Sequence, residues 1–139
     1  MTRLAGWIAG LALMLGVVLT SNPAQAQDNT IEGVITEQLQ AFRDRDVDAA
    51  WQYASPLIKN IFRTPDNFGL MVRNGYPMVW DSSDVRFLDQ TDMGNRTRQE
   101  VQIQGPEGLF YILDYLMVET PDGWQIDGVQ VIPAPEILS

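Results

Sequence analysis

The chain contains no histidine and no cysteine, and its acidic residues outnumber its basic ones two to one. Among 139 residues there are 18 Asp and Glu but only 9 Lys and Arg, which gives a formal net charge of −9. Without His, the chain has no Ser-His or Cys-His nucleophile, no His metal site and no His pH switch. Without Cys, it has no disulfide, no thiol catalysis and no cysteine metal site, so an exported form has to be stabilised by packing alone.

The negative charge argues against partners that are bound through Lys and Arg, namely nucleic acids and anionic lipid surfaces. One acidic cluster resembles the start of a calcium loop, because Asp44, Asp46 and Asp48 occupy alternate positions. The calcium loop then requires Gly and a closing Glu, where this chain has Ala49 and Ser55. Capping of the helix that follows explains these acids better, and we predict neither a metal nor a cofactor.

Long uncharged runs are also scarce, and the one at the N-terminus has the features of a targeting segment. Residues 4–19 carry no charge, follow the basic Arg3 and precede an Ala-x-Ala motif at residues 24–26. This pattern predicts a signal peptide over residues 1–26, cleaved between Ala26 and Gln27, and an exported, periplasmic or secreted protein. The alternative is a membrane anchor, but such a run spans only about 24 Å as a helix, less than a hydrocarbon core of about 30 Å.

Cleavage at that site would leave one domain of ordinary size. It removes 26 of the 139 residues and one charged side chain, Arg3, which leaves 113 residues with a net charge of −10. That length is enough for a single domain with its own hydrophobic core. We therefore expect no membrane association after cleavage.

The first half of this domain has helical periodicity. Apolar residues recur at helical spacing from Ile31 to Phe42, and residues 28–80 read as three or four helical segments. Each predicted helix is preceded by a short polar side chain that can cap it: Asn29 or Thr30, Asp46, Ser55 before Pro56, and Thr64 before Pro65. Asn74 and Gly75 mark the end of the last of these helices.

The second half has strand periodicity and three turn signals. Four strands are predicted at residues 84–92, 97–104, 109–119 and 124–132, separated by turns at residues 94–95, 105–108 and 120–123. The last two turns have Pro second and Gly fourth, a pattern that favours a type I turn followed by a glycine in the left-handed region. Prolines after Ile132 then predict an extended tail over residues 133–139.

The last predicted strand changes its pattern at Gly128. Trp124 and Ile126 share one alternation, whereas Val129 and Val131 share the other. Both pairs can face the same side of a sheet only if one extra residue lies between them. We therefore predict a β-bulge at this point.

Helices followed by an antiparallel meander indicate an α+β fold. We predict a single domain over residues 27–132, in which three or four N-terminal helical segments pack on one face of a curved four-stranded antiparallel sheet. The segments IEGVITEQLQAFRDRDVDAAWQYASPLIKNIF, GYPMVW and PDGWQIDGVQVI resemble an uncharacterised family of small exported bacterial proteins, a domain of unknown function. The chain is also similar, more loosely, to the nuclear-transport-factor-2-like superfamily of cone-shaped domains. That superfamily includes isomerases, dehydratases, cyclases and binding modules, so the resemblance implies a cone-like fold but no activity.

One acid lies inside the most apolar strand, GLFYILDYLMVE, and its surroundings depend on the hairpin before it. A bulged turn at residues 105–108 pairs Asp114 with Glu100 and puts it on the polar face with Arg98 beside it. A two-residue turn would instead pair Asp114 with Gln99 and put it on the core face. The Pro-x-Gly pattern of the turn favours the first register.

In the second register, Asp114 is the candidate catalytic residue. A carboxyl in an apolar site has a raised pKa, and beside Tyr111 and Tyr115 it could transfer a proton next to a carbonyl group. Aromatic residues also concentrate where the helices give way to the sheet. The candidate ligand-binding residues are therefore Trp51, Tyr53, Tyr76, Trp80, Tyr111 and Tyr115, although aromatic residues at such a junction are more often ordinary core.

Three functional hypotheses follow from these observations. The first is an exported module, without catalysis, that binds a small apolar ligand or a protein partner. The alternative is an isomerase- or dehydratase-like enzyme that uses Asp114 and a tyrosine. The third is a homodimer through the sheet, because both alternating faces of the third strand are apolar and the helices can cover only one of them.

Overall fold

In a computed structural model, residues 30–133 form five helices followed by one four-stranded antiparallel sheet. The predicted α+β class is confirmed. The predicted signal peptide with its cleavage site at Ala26 and Gln27 lies outside these residues, as does the tail after Pro133. Within residues 30–133 no helix is both long and apolar enough to span a bilayer.

The helices begin at the predicted caps. They are α1 (Ile31–Arg43), α2 (Val47–Trp51), α3 (Pro56–Phe62), α4 (Pro65–Gly75) and α5 (Pro77–Trp80). The side chains of Thr30, Asp46, Ser55 and Thr64 each accept a hydrogen bond from the backbone N–H three residues later, at 3.0 to 3.3 Å. Such caps satisfy donors that the first helical turn leaves unpaired.

The fifth helix differs from the prediction of three or four segments. It is a single turn that starts at Pro77 and has no side-chain cap. A sequence reading that relies on caps and on a repeating apolar spacing therefore had no signal to detect it. Proline suits its first position because the ring fixes φ near the helical value.

The four strands agree with the predicted ranges to within one residue. They are β1 (Ser83–Asp92), β2 (Arg96–Gln104), β3 (Phe110–Thr120) and β4 (Gly123–Ile132), in the spatial order β1-β2-β3-β4. In the turn between β2 and β3, Gly105 N donates to Leu109 O at 2.8 Å and Gly108 has a φ of +88°. Only glycine adopts that conformation without strain, so this turn sets the register of the following strand.

A bulge lies in β4 at the predicted place. Met117 pairs with Ile126 and Leu116 pairs with Gly128, which leaves Asp127 as the extra residue. The edge of β4 also pairs with the chain between α2 and α3, where Ser55 N donates to Ile126 O at 2.9 Å and Ile126 N donates to Tyr53 O at 2.7 Å. This short pairing was not predicted, because residues 53–55 are too few to show the alternation of apolar and polar side chains that marks a strand.

The core lies between the helices and one face of the sheet. On that face β3 contributes Leu113, Tyr115 and Met117, all fully buried, and the apolar side of α1 belongs to the same core and contacts β4. Burial of this surface is the main stabilising contribution in a chain without disulfides. The helices therefore leave the opposite face of the sheet uncovered by any part of residues 30–133.

Candidate functional site: an apolar cavity between the helices and the sheet

A cavity of about 430 Å³ opens between α3, α4 and β4, with α1 beneath it. Its walls are mainly apolar side chains: Phe42, Ile58, Phe62, Phe68, Val72 and Ile126. Its volume lies within the range of about 300 to 1,000 Å³ that is typical of sites for small molecules.

Phe68 on α4 stands at the centre of the aromatic wall. Its ring centroid lies 5.8 Å from that of Phe42, 5.5 Å from that of Trp51 and 6.0 Å from that of Phe62, all with tilted planes. Tilted ring pairs at such distances attract each other beyond the effect of their buried area. The α4 side of the wall is therefore a packed aromatic cluster.

The α3 side of the cavity is far less buried. No residue of α3 is buried, and Ile61, which lines the cavity, is 58% exposed. At the other end of the cavity, Gln38 is only 3% exposed and Phe42 is fully buried. The cavity thus has a closed end at α1 and an open rim at α3.

Two polar side chains line the cavity, and no charged side chain does. Gln38 donates through Nε2 to the carbonyl of Ala50 at 3.1 Å. The hydroxyl of Tyr76 donates to the carbonyl of Val129 at 3.3 Å. A ligand in this cavity would meet an apolar surface with two hydrogen-bonding positions and no counter-ion.

Of the six aromatic residues singled out in the sequence, Tyr76 alone lines this cavity. Trp51 and Trp80 pack behind its wall, against Phe68 and Phe42 respectively. Cations cover the other faces of both indole rings, Lys59 over Trp51 and Arg45 over Trp80. The two tryptophans therefore pack against residues of the cavity wall and do not themselves line the cavity.

The remaining three tyrosines lie elsewhere. Tyr53 follows α2, and partial burial together with the nearby Glu37 carboxylate raises its pKa. Tyr111 is half-buried beside Gly105. Tyr115 is fully buried in the core, its hydroxyl meets no hydrogen-bond partner among residues 30–133, and burial raises its pKa.

The register of β3 settles on which face Asp114 lies. Asp114 pairs with Glu100, as the bulged turn predicts, so it lies on the face opposite to Leu113 and Tyr115. Its Oδ2 is 3.8 Å from Nε of Arg98, a loose ion pair. The carboxylate is not among the residues that line the helix-side cavity, and the pleat of the strand separates it from both flanking tyrosines.

Asp114 is nevertheless not fully solvated. Its side chain is 16% exposed, and its Oδ1 is buried without a hydrogen-bond donor among residues 30–133. Around it lies a second cleft that includes Met93, Arg98 and Leu116. Here a carboxylate sits beside apolar side chains on the uncovered face of the sheet.

That uncovered face has an apolar column along β3. Phe110, Ile112, Leu116 and Val118 share the alternation of Asp114, and Phe110 is 52% exposed. On the core side Leu113 and Met117 are buried, whereas Leu109 precedes the strand and is exposed. The predicted apolar character of both faces is therefore observed for the strand itself.

The acidic cluster near α2 has a local structural role. Asp46 caps α2, and Asp44 accepts a hydrogen bond from Gln40 at 3.0 Å. Nowhere in residues 30–133 do three or more acidic side chains converge in a way that could hold a metal ion. The absence of Gly and Glu at the later positions of the loop is consistent with this role.

The sequence matches the model of a family described as a domain of unknown function, DUF4864, over residues 24–137. The chain belongs to this family. The predicted membership of an uncharacterised family is thereby confirmed. Among curated proteins, none matches the sequence.

Among solved structures, one that is similar is described as an NTF-2-like protein of unknown function from Shewanella oneidensis MR-1. It is 14% identical in sequence, and the match covers 73% of this chain and 94% of that one with a TM-score of 0.48.

Sequence reasoning missed most of the residues that line the cavity of this DUF4864 member. It treated Phe42, Ile58 and Phe68 only as apolar positions of separate helices, which they also are. One signal could have identified the closed end. Gln38 occupies the apolar stripe of α1, between Ile35 and Phe42, and a polar residue in such a stripe requires a partner.

Proposed function

We propose that this protein is an exported module that binds a small, neutral, apolar molecule in the cavity between α3, α4 and β4. The observation that supports this proposal is the cavity itself: about 430 Å³, walled by aliphatic and aromatic side chains and lined by no charged side chain. Apolar surface with a few placed polar groups is the usual make-up of a small-molecule site. Export rests on the predicted signal peptide of residues 1–26.

An apolar ligand would gain stability by removing both its own surface and the rim of the cavity from water. Ile61 is 58% exposed, and Ile58, Phe62 and Met71 are only partly buried. Burial of apolar surface contributes about 25 cal/mol per Å² before the entropic cost of association is subtracted. Binding at this rim is therefore favourable without any charge-charge interaction.

Titration with a neutral, environment-sensitive dye such as Nile red, followed by displacement with 1-decanol, tests the proposal. A matched pair of variants on α4 locates the site: Met71→Trp fills the cavity, whereas Leu70→Trp adds the same side chain at a neighbouring position that does not line it. We expect Met71→Trp to weaken binding at least tenfold and Leu70→Trp to leave it unchanged. Equal effects of the two variants, or no binding to the unaltered protein, would contradict the proposal.

A second candidate function is self-association through the uncovered face of the sheet. It is favoured by the apolar column of β3, in which Phe110 is 52% exposed and Ile112, Leu116 and Val118 are partly exposed. The column also contains Asp114, with Arg98 beside it, so each copy would bring both a carboxylate and a guanidinium to an interface with a two-fold axis. Sedimentation of the unaltered protein and of Phe110→Ser distinguishes a dimer that the substitution dissociates from a monomer that it does not affect.

The alternative of an enzyme based on Asp114 and a tyrosine has little geometric support. Asp114 lies on the uncovered face, whereas Tyr111 and Tyr115 share the alternation of the core face. Tyr76, which lines the cavity, is not in the cleft around Asp114 either. The binding proposal requires no catalytic group, and we place no catalytic residue in the cavity.

A further inference from the structure

Gln38 is a buried amide on the otherwise apolar side of α1. It is 3% exposed and lines the closed end of the cavity. Burying an amide without hydrogen-bond partners is unfavourable by a few kcal/mol, so each of its polar atoms matters to what the cavity accepts.

The orientation of this amide is set by the backbone of α2. Its Nε2 donates to Ala50 O at 3.1 Å, which identifies the nitrogen and fixes the side-chain plane. Its Oε1 accepts no hydrogen bond from the residues that the structure describes, 30–133, and the second N–H of Nε2 donates to none of them. The closed end of an apolar cavity therefore offers a carbonyl acceptor beside one amide donor, a pair that a hydroxyl group satisfies on both sides because it donates and accepts.

The other polar group in the lining is also left as an acceptor. Tyr76 uses its O–H to donate to Val129 O at 3.3 Å, so the lone pairs of the phenol oxygen remain. Acceptors without counter-charges repel an anion and attract a hydrogen-bond donor. The net charge of −9 acts in the same direction over a longer range.

We propose that the cavity selects a neutral apolar molecule with a hydroxyl group, such as a long-chain alcohol or an alkyl phenol, whose O–H donates to Oε1 of Gln38. The inference rests on the proposed function and specifies its ligand class. The hydroxyl enters first, to the closed end, and the hydrocarbon fills the space between Phe68 and Ile58 toward the rim.

Two related classes of ligand, carboxylates and ethers, should bind less tightly than an alcohol, each for its own reason. A carboxylate offers no proton at neutral pH and would lie in an apolar site without a cation in the lining. An ether has the same apolar surface but no O–H, so it expels water from Oε1 without replacing the hydrogen bond. Binding sites discriminate strongly against a molecule that leaves a buried acceptor of the site unpaired, as the ether would.

Three probes of equal chain size test these differences: 1-decanol, its isomer methyl nonyl ether, and decanoate. Each displaces Nile red from the full processed protein at neutral pH. We expect decanol to bind about five to ten times more tightly than the ether, the ratio that one net hydrogen bond provides. We expect decanoate to bind more weakly than either.

Gln38→Met keeps the length of the side chain and removes both polar atoms. It should abolish the preference for decanol over the ether while the ether still binds. Gln130→Met is the matched control, because Gln130 is an exposed glutamine of β4 that does not line this cavity. If Gln38→Met does not fold, as judged by its thermal transition, the ratio of the three probes on the unaltered protein still decides whether the cavity selects a hydroxyl group.

The outcomes separate this inference from the function on which it rests. Equal binding of decanol and ether would overturn the role of Gln38 but leave an apolar site in place. Tightest binding of decanoate would overturn it as well and would point to a cation outside the lining, such as Lys59 on α3. Failure of all three probes to displace the dye would reject both the inference and the proposed function.

Discussion

Ser55 Oγ donates a 2.7 Å hydrogen bond to Oδ1 of Asp127, a residue 72 positions away in the chain. The other carboxylate oxygen, Oδ2, accepts from Nε of Arg96 at 2.7 Å. Asp127 is the extra residue of the β4 bulge, and its side chain is 5% exposed. This carboxylate therefore joins the start of α3, the edge strand and β2.

Loss of that carboxylate should weaken the fold. Asp127→Ala removes the acceptor of two hydrogen bonds, and we expect it to lower the free energy of unfolding by about 2 to 3 kcal/mol. The value is below that of a fully buried pair because the Arg96 side chain is 38% exposed and can be hydrated. Urea denaturation measures it, with the exposed Asp89→Ala as control. A change equal to that of the control would show that the contact does not matter.

Replacing Tyr115 by phenylalanine should not destabilise the fold. Its hydroxyl is buried without a partner among residues 30–133, so Tyr115→Phe removes a desolvated polar group and leaves the ring. We expect the free energy of unfolding at pH 7 to stay the same or to rise by up to about 1 kcal/mol. A loss above 1 kcal/mol in urea denaturation would indicate that the hydroxyl does find a partner.

The same residue predicts how stability changes at alkaline pH. Burial raises the pKa of Tyr115 above its ordinary value of 10.0, so the folded state holds the phenolic proton more tightly than the unfolded state does. Its contribution is fully present below pH 10 and is lost as pH rises further, by about 1.4 kcal/mol per unit. The pH dependence of unfolding between pH 9 and 11 should be shallower in Tyr115→Phe than in the unaltered protein. Identical slopes would contradict this assignment.

Gly69 and Gly75 on α4 should respond in opposite directions to alanine. A Cβ at Gly69 would lie 2.6 Å from Cγ1 of Val47 on α2, whereas a Cβ at Gly75 meets nothing within 4 Å. We expect Gly69→Ala to lower the free energy of unfolding by about 1 to 3 kcal/mol and Gly75→Ala to raise it by up to about 1 kcal/mol. Thermal melts give both values. Val47→Ala should rescue Gly69→Ala, and a failure of that rescue would mean that the helix contact is not the cause.

Asp114→Leu tests the carboxylate on the uncovered face. The substitution removes a buried oxygen without a donor and a 3.8 Å ion pair with Arg98, and it fills the gap in the apolar column between Ile112 and Leu116. We expect the melting temperature to rise by a few degrees, which corresponds to about 1 kcal/mol. Decanol binding should not change, since this residue lies outside the cavity. A clear loss of stability would instead show that the pair with Arg98 is a stabilising one.

Features that depend on residues close together in the chain could be predicted from the sequence, whereas features that depend on distant residues could not. Caps and turns depend on neighbours three or four residues apart, so the start of α3 at Ser55 and the register of Asp114 were both predictable. The cavity depends on the fold bringing together lining residues that are far apart in the chain, such as Gln38 and Val129. No local pattern encodes that distance. Trp51 and Trp80 show the consequence, since their size suggested a lining role and their position gives them a supporting one.

The low burial of α3 has a consequence for how quickly the cavity can be reached. The helix has seven residues, none of them buried, and it ends at Arg63 with a φ of +76°, a conformation that is strained for a residue other than glycine. Few buried contacts imply that α3 opens locally at a small fraction of the global unfolding free energy. Its amide hydrogens should therefore exchange with solvent faster than those of α1, and a molecule that binds beneath it should slow that exchange. We therefore expect that the proposed ligand passes α3 when it enters and leaves the cavity, and that the sheet does not have to move.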